Sequence, residues 1–107
     1  MDIKSIEKSC PVSEFTEMLG GKWKLIIISR LRSRGKMRFG QIAASIPLIS
    51  RKVLTDQLKN LEKNNFLKRK HFKEIPPKVE YSLTKKSENL CSVFKSIEDW
   101  SNKNYLS

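Results

Sequence analysis

The sequence is short of the residues from which small metal and disulfide proteins are built. Of its 107 residues two are cysteines, Cys10 and Cys91, and one is a histidine, His71. That is too few for a disulfide scaffold or a four-ligand zinc site, and it excludes a histidine cluster within one chain. Acids are scarce: 11 Asp and Glu stand against 22 Lys and Arg, for a formal net charge of +11. Long apolar runs are absent. The longest covers residues 25–28, far below the roughly 20 apolar residues that a membrane helix needs. The first residues, Met-Asp-Ile-Lys-Ser, lack the apolar stretch of a signal peptide. A cytoplasmic protein with no membrane segment is therefore expected. No Ser–His–Asp set, paired carboxylates or phosphate loop is present, since Gly20-Gly21-Lys22 has no glycine at the upstream spacing. Neither enzymatic activity nor a metal or cofactor is expected.

What is present is a basic centre. Residues 1–20 carry two Lys against four acids, residues 21–80 sixteen Lys and Arg against four acids, and residues 81–107 four Lys against three acids. Charge concentrated in the middle of a chain fits a polyanionic partner better than a general solubility charge does. A membrane-surface helix would instead gather it on one amphipathic segment.

Within that centre, residues 50–64 have the clearest period. Leu54, Leu58 and Leu61 recur at i, i+4 and i+7, the apolar stripe of an amphipathic helix. Ser50 suits its N-cap, and Pro47 separates it from what precedes. Lys52, Asp56, Lys59 and Lys63 fall opposite the leucines, with Thr55 on the flank. Such a face suits a DNA major groove, although a solvated surface helix has the same pattern. Before it, Phe39, Ile42, Ala43 and Ile46 mark a short helix, so the pair forms a helix-turn-helix. Two earlier helices are expected. One starts at Pro11, capped by Cys10, and stops at Gly20-Gly21; the other spans about residues 22–32, with Trp23, Ile26, Ile27 and Leu31 inward, and is ended by Gly35.

After residue 64 the period changes to two. Residues 66–72 and 79–83 alternate as strands, and the stretch between them contains Pro76-Pro77, which cannot pair in a ladder. A hairpin with a stiff projecting tip after a helix-turn-helix is a wing. Its tip cations Lys73 and Lys78 are the better placed for phosphate or minor-groove contact. Thr84 then caps a last helix, with Leu90, Phe94, Ile97 and Trp100 along one side. The expected fold is α+β, a winged helix-turn-helix of order α-α-α-α-β-β-α with a one-residue strand at Arg38. The chain 1–107 reads as one domain, with residues 1–9 a loose lead-in and residues 84–106 the last helix.

Several stretches together resemble the HxlR-type winged-helix regulators. They are Cys10-Pro11-Val12, Gly20-Gly21-Lys22-Trp23-Lys24, Arg38-Phe39, Ile46-Pro47-x-Ile49-Ser50, Leu54-Thr55-x-Gln57-Leu58-x-x-Leu61-Glu62, and the run from Pro76-Pro77-Lys78-Val79 to Tyr81-Ser82-Leu83-Thr84. Leu48 and Ser87 depart from the pattern by standing where that family often has glycine, and Gly40 by replacing a small polar residue. The resemblance implies a homodimeric transcription regulator that binds double-stranded DNA at a palindromic operator. It also implies a dimer interface built by the first and last helices, which suits Phe15, Phe94, Ile97 and Trp100. In such a complex Ser50, Arg51, Lys52, Thr55 and Lys59 would lie at or beside base edges, and Arg38, Lys73 and Lys78 would hold the backbone. Asp56 has two readings: an acceptor for a cytosine amino group, or a brace for Lys52 and Lys59.

Cys10 also has two readings. A thiol at a helix N-cap has its thiolate favoured by the free N–H groups there, with Lys8 assisting and Glu7 and Glu14 opposing. Members of the family that this chain resembles use an N-terminal cysteine to sense oxidants or electrophiles; alternatively the residue is an inert cap. Cys91 is expected to pack on the apolar face of the last helix. The rival functions are a non-specific nucleic-acid binder and a regulator controlled by a small ligand rather than by cysteine.

Overall fold

A computed structural model describes residues 10–106; the lead-in expected over residues 1–9 lies outside them. Helix α1, Pro11–Leu19, begins with its proline in the first turn and Cys10 at the cap, and Gly20 ends it. Helix α2, Lys24–Arg34, stops where Gly35 adopts φ 83°, a left-handed conformation that glycine takes without a Cβ clash. Ile27, Ile28 and Leu31 of α2 are fully buried, with Trp23, Leu25 and Ile26 partly buried beside them. This is the central helix that its apolar run foretells. Helix α3, Phe39–Ser45, is short, and buries Ile42 along with Ile46 just beyond its end.

Helix α4, Arg51–Lys63, follows the turn at residues 46–50. Ser50 Oγ accepts the Val53 N–H at 3.1 Å, so one of the free donors of the first turn is satisfied. Leu54, Leu58 and Leu61 are all buried in the core. Each contributes on the order of 1.5–3 kcal/mol by leaving water. Strands β1, Leu67–Phe72, and β2, Lys78–Leu83, pair antiparallel from Leu67↔Leu83 to Phe72↔Lys78. The single-residue strand lies at Met37 rather than Arg38: Met37 and Tyr81 exchange both backbone hydrogen bonds, at 3.0 and 2.8 Å. The shift has a simple cause. Met37 is buried in the core, whereas Arg38 is exposed at the cap of α3, its N–H donating to Gln41 Oε1 at 2.8 Å.

The last helix is not continuous. Helix α5, Lys85–Glu88, and helix α6, Cys91–Ser101, are separate, and a π-turn over Asn102–Leu106 closes the described chain. Ser87 explains the break. Its buried hydroxyl donates to the Phe66 carbonyl at 2.5 Å, and its N–H donates to Thr84 Oγ1 at 3.3 Å. Thr84 Oγ1 in turn donates to the Asn65 carbonyl at 2.6 Å. The first turn is thereby locked to the foot of the hairpin, and Leu90 N–H closes on Ser87 only three residues back. Helix α6 then starts afresh at Cys91. That break also moves Cys91, which is exposed at the first position of α6 with its thiol against Arg32, not packed inside. No helix among the described residues is long and apolar enough to cross a membrane.

Replacing Ser87 by Ala would leave the buried Phe66 carbonyl without this donor. Because the Thr84 N–H also donates to that carbonyl, at 3.3 Å, the loss expected in urea unfolding is about 0.5–1.5 kcal/mol, and a loss well below about 0.5 kcal/mol would remove Ser87 as the anchor of the break.

Candidate nucleic-acid interface

The roll of α4 about its axis decides what it shows to solvent. With three leucines inward, Arg51, Lys52, Asp56, Lys59 and Lys63 are exposed and Thr55 is half-buried on the flank. Arg51 is held from one side: its guanidinium lies 5.6 Å from the Phe39 ring centroid, a cation–π contact joining the starts of α3 and α4. Lys52 Nζ lies 3.2 Å from Asp56 Oδ2 one turn on, both well exposed. This pair favours the bracing reading of Asp56, and exposure keeps its worth to a few tenths of a kcal/mol. Thr55 Oγ1 donates to the Arg51 carbonyl at 2.8 Å, which leaves the hydroxyl oxygen able to accept.

The hairpin stands beside this face. A cavity of about 370 Å³ between α4 and the strands is lined by Phe39, Thr55, Lys59, Glu62, Arg69 and Tyr81. Arg69 therefore joins Thr55 and Lys59 on one side of the molecule, a placement not anticipated from the sequence. The signal was available in the alternation: Leu67 is buried, so Arg69, two residues on, shares its face of the sheet. Lys68 and Lys70 take the other face, opposite Ser82 and Glu80.

At the tip the two selected lysines differ. Lys73 is exposed. Lys78 is folded back: its Nζ lies 3.5 Å from Glu80 Oε2, 4.0 Å from Glu74 Oε2 and 4.6 Å from the Phe72 ring centroid. Its charge is compensated within the wing, so Lys73 is the tip cation open to a phosphate. Among the cations before the motif, Arg30 Nε donates to the Ser45 carbonyl at 3.1 Å and braces α2 on α3. Arg32 pairs with Glu98 at 3.0 Å over the Phe94 ring. Hydrogen bonds to the Cys91 thiol and to Glu98 raise its already high pKa, and its charge is permanent.

The four residues assigned to a dimer interface also separate. Phe94 is buried under Arg32 as part of the protomer's own core, and Phe15 packs on that core half-buried. Ile97 and Trp100 are 44% and 56% exposed. Trp100 leans on Tyr105, ring centroids 5.2 Å apart. Cys10 is exposed, and its side chain makes no cap hydrogen bond in α1.

Comparisons with known proteins agree with this geometry. The sequence model of the family described as HxlR-like helix-turn-helix matches residues 18–107. A helix-turn-helix transcriptional regulator of Halalkalibacterium halodurans is 38% identical over 102 residues, which is 95% of this chain and 89% of that protein. The reduced form of the transcriptional regulator YodB from Bacillus subtilis superposes with a TM-score of 0.77 at 38% identity, over 90% of this chain and 94% of that one. The redox regulator HypR in its oxidised form gives 0.81 at 36% identity, over 89% and 97%.

The cap of α4 is testable apart from any ligand. Ser50→Ala should cost about 1 kcal/mol of unfolding free energy and Ser50→Gly only a few tenths. Equal losses in both variants, read from chemical denaturation, would show that the hydroxyl does not hold the helix start.

Proposed function

The chain belongs to the HxlR-like helix-turn-helix family of transcriptional regulators, and on that premise we propose that it acts in the cytoplasm as a homodimer on a palindromic DNA operator. The observation that carries this reading is the division of α4: three leucines buried, a face of cations with one hydroxyl exposed, and a hairpin beside it. Helix α4 enters the major groove, where Ser50, Arg51, Lys52, Thr55 and Lys59 lie at or near base edges. Arg38, Arg69 and Lys73 neutralise phosphates alongside, and Lys78 keeps the wing tip in shape. The dimer is supported by where apolar surface remains. Among the described residues, apart from Leu48 and Ile75, the exposed large apolar side chains all lie on the terminal elements: Val12 and Met18 on α1, Val93, Ile97 and Trp100 on α6, and Tyr105 just after it. A second copy covering that surface would supply a second α4, one for each half-site of a two-fold operator.

Control by thiol chemistry at Cys10 is the second part of the proposal. Its support is the position of an exposed thiol at the start of α1, next to the apolar face assigned to the dimer. The similar proteins include the redox regulator HypR and the regulator YodB, solved in a reduced form.

Operator selection from random duplexes, followed by titration over a range of salt, tests the DNA reading. With about 8 phosphates neutralised per dimer, log K should fall against log[salt] with a slope of about −7. A slope near −2 would overturn two-fold docking, and failure to select any sequence would hand the case to non-specific binding. Lys52→Ala with Thr55→Ala should weaken the selected site more than random DNA; equal losses would make both residues phosphate contacts.

Diamide should change operator affinity in the wild type and leave Cys10→Ser unmoved. An equal response in both proteins would remove Cys10 from control.

A further inference from the structure

Leu48 is at odds with its place in the chain. Among the described residues only Leu48 and Asn65 hold a side chain at a left-handed φ, 71° and 64°. Asparagine tolerates that region, and the Asn65 carbonyl is engaged by Thr84. Leucine does not, because its Cβ crowds the following carbonyl. Packing within the chain does not offset the strain, since Leu48 is 94% exposed. Proline followed by a left-handed residue is the combination of a type II turn, in which the second position takes glycine. Glycine at position 48 would remove both the strain and the exposed isobutyl group.

A strained and unpacked apolar side chain points to something outside the chain that it packs against. Its location narrows the choice. Leu48 stands two residues ahead of Ser50, at most about 7.6 Å along the backbone from the cap of α4. It is therefore beside the end of the helix where exposed Arg51 and Lys52 begin the cationic face. A second protein would meet that cationic surface too. DNA satisfies both features at once: phosphates for the cations, and one apolar group at the base edges of the major groove, the thymine 5-methyl.

We propose that Leu48 is a specificity-determining residue that packs on a thymine 5-methyl at the edge of each operator half-site. The proposal rests on the DNA-binding reading above. In it Leu48 gives the turn a base-reading role of its own, beside the polar contacts of α4.

The test uses the full chain and an operator selected from random duplexes. Each half-site thymine is replaced in turn by deoxyuridine, which removes the methyl and keeps the pairing. One replacement in a single half-site should weaken wild-type binding about fourfold, the factor that burying one methyl supplies, and one in each half-site about fifteenfold. Leu48→Ala should bind the thymine and uracil versions alike. Leu48→Gly should lose the same discrimination while its unfolding midpoint rises by about 5 °C, because the strain is gone. That rise also shows that the loss is not one of folding. Uracil operators that all bind the wild type as tightly as thymine ones would overturn the proposal, as would a Leu48→Ala variant that still discriminates. A wild type that prefers no sequence would bring down the DNA reading itself, and the proposal with it.

Discussion

Helix α4 cannot turn about its own axis without taking a leucine out of the core. Leu54, Leu58 and Leu61 lie along one line of its surface, all essentially inaccessible to water. A rotation large enough to bring Asp56 or Lys59 inward would expose at least one of them and bury a charge, and each of those changes costs kilocalories. The roll of the helix is therefore set by apolar burial alone, and the polar face needs no contacts of its own to be aimed. Arg51 is steadied by Phe39 and Lys52 by Asp56, but these exposed contacts are worth a fraction of what the leucines contribute.

The hairpin is set against α4 by a different means, hydrogen bonding. Met37 pairs with Tyr81 from one side, and Thr84 and Ser87 bond the carbonyls of Asn65 and Phe66 at the foot. Phe66 and Leu67 are buried just below. Arg69 of the hairpin comes to rest on the side of Thr55 and Lys59. The wing tip is a local matter: Lys78 between Glu74, Glu80 and the Phe72 ring holds the two ends of the proline loop together.

What was legible in the sequence divides along the same line. Features decided by local period and capping could be read. The leucine stripe, the Ser50 cap, the stop at Gly35 and the strand alternation lie within a few residues of where they were expected. Features decided by a bond to a distant residue could not. The break between α5 and α6 depends on a serine reaching a carbonyl 21 positions away, and nothing in residues 84–101 announces it. Phe94 has the spacing of a partner-facing residue, yet Arg32 and the protomer core claim it. Lys78 has the position of a phosphate contact, yet two acids that close in only when the hairpin forms compensate its charge. Among a chain's many cations, the folded neighbours decide which remain available.

Helix α2 connects the two surfaces that this division produces. Its Arg30 is bonded to the end of α3 through Ser45, and its Arg32 is bonded to α6 through Glu98 over Phe94. The two arginines are two residues apart, so they leave the helix on different sides. The Arg32–Glu98 pair is partly exposed and weak. Phe94 is buried and is the stronger tie of α6 to α2. On the other side Ile27, Ile28 and Leu31 embed α2 in the core that also holds the α4 leucines. Close packing of that core joins α2 to the same apolar cluster that fixes the roll of α4. One buried helix thus touches both the element that carries the terminal apolar surface and the core that aims the cationic face.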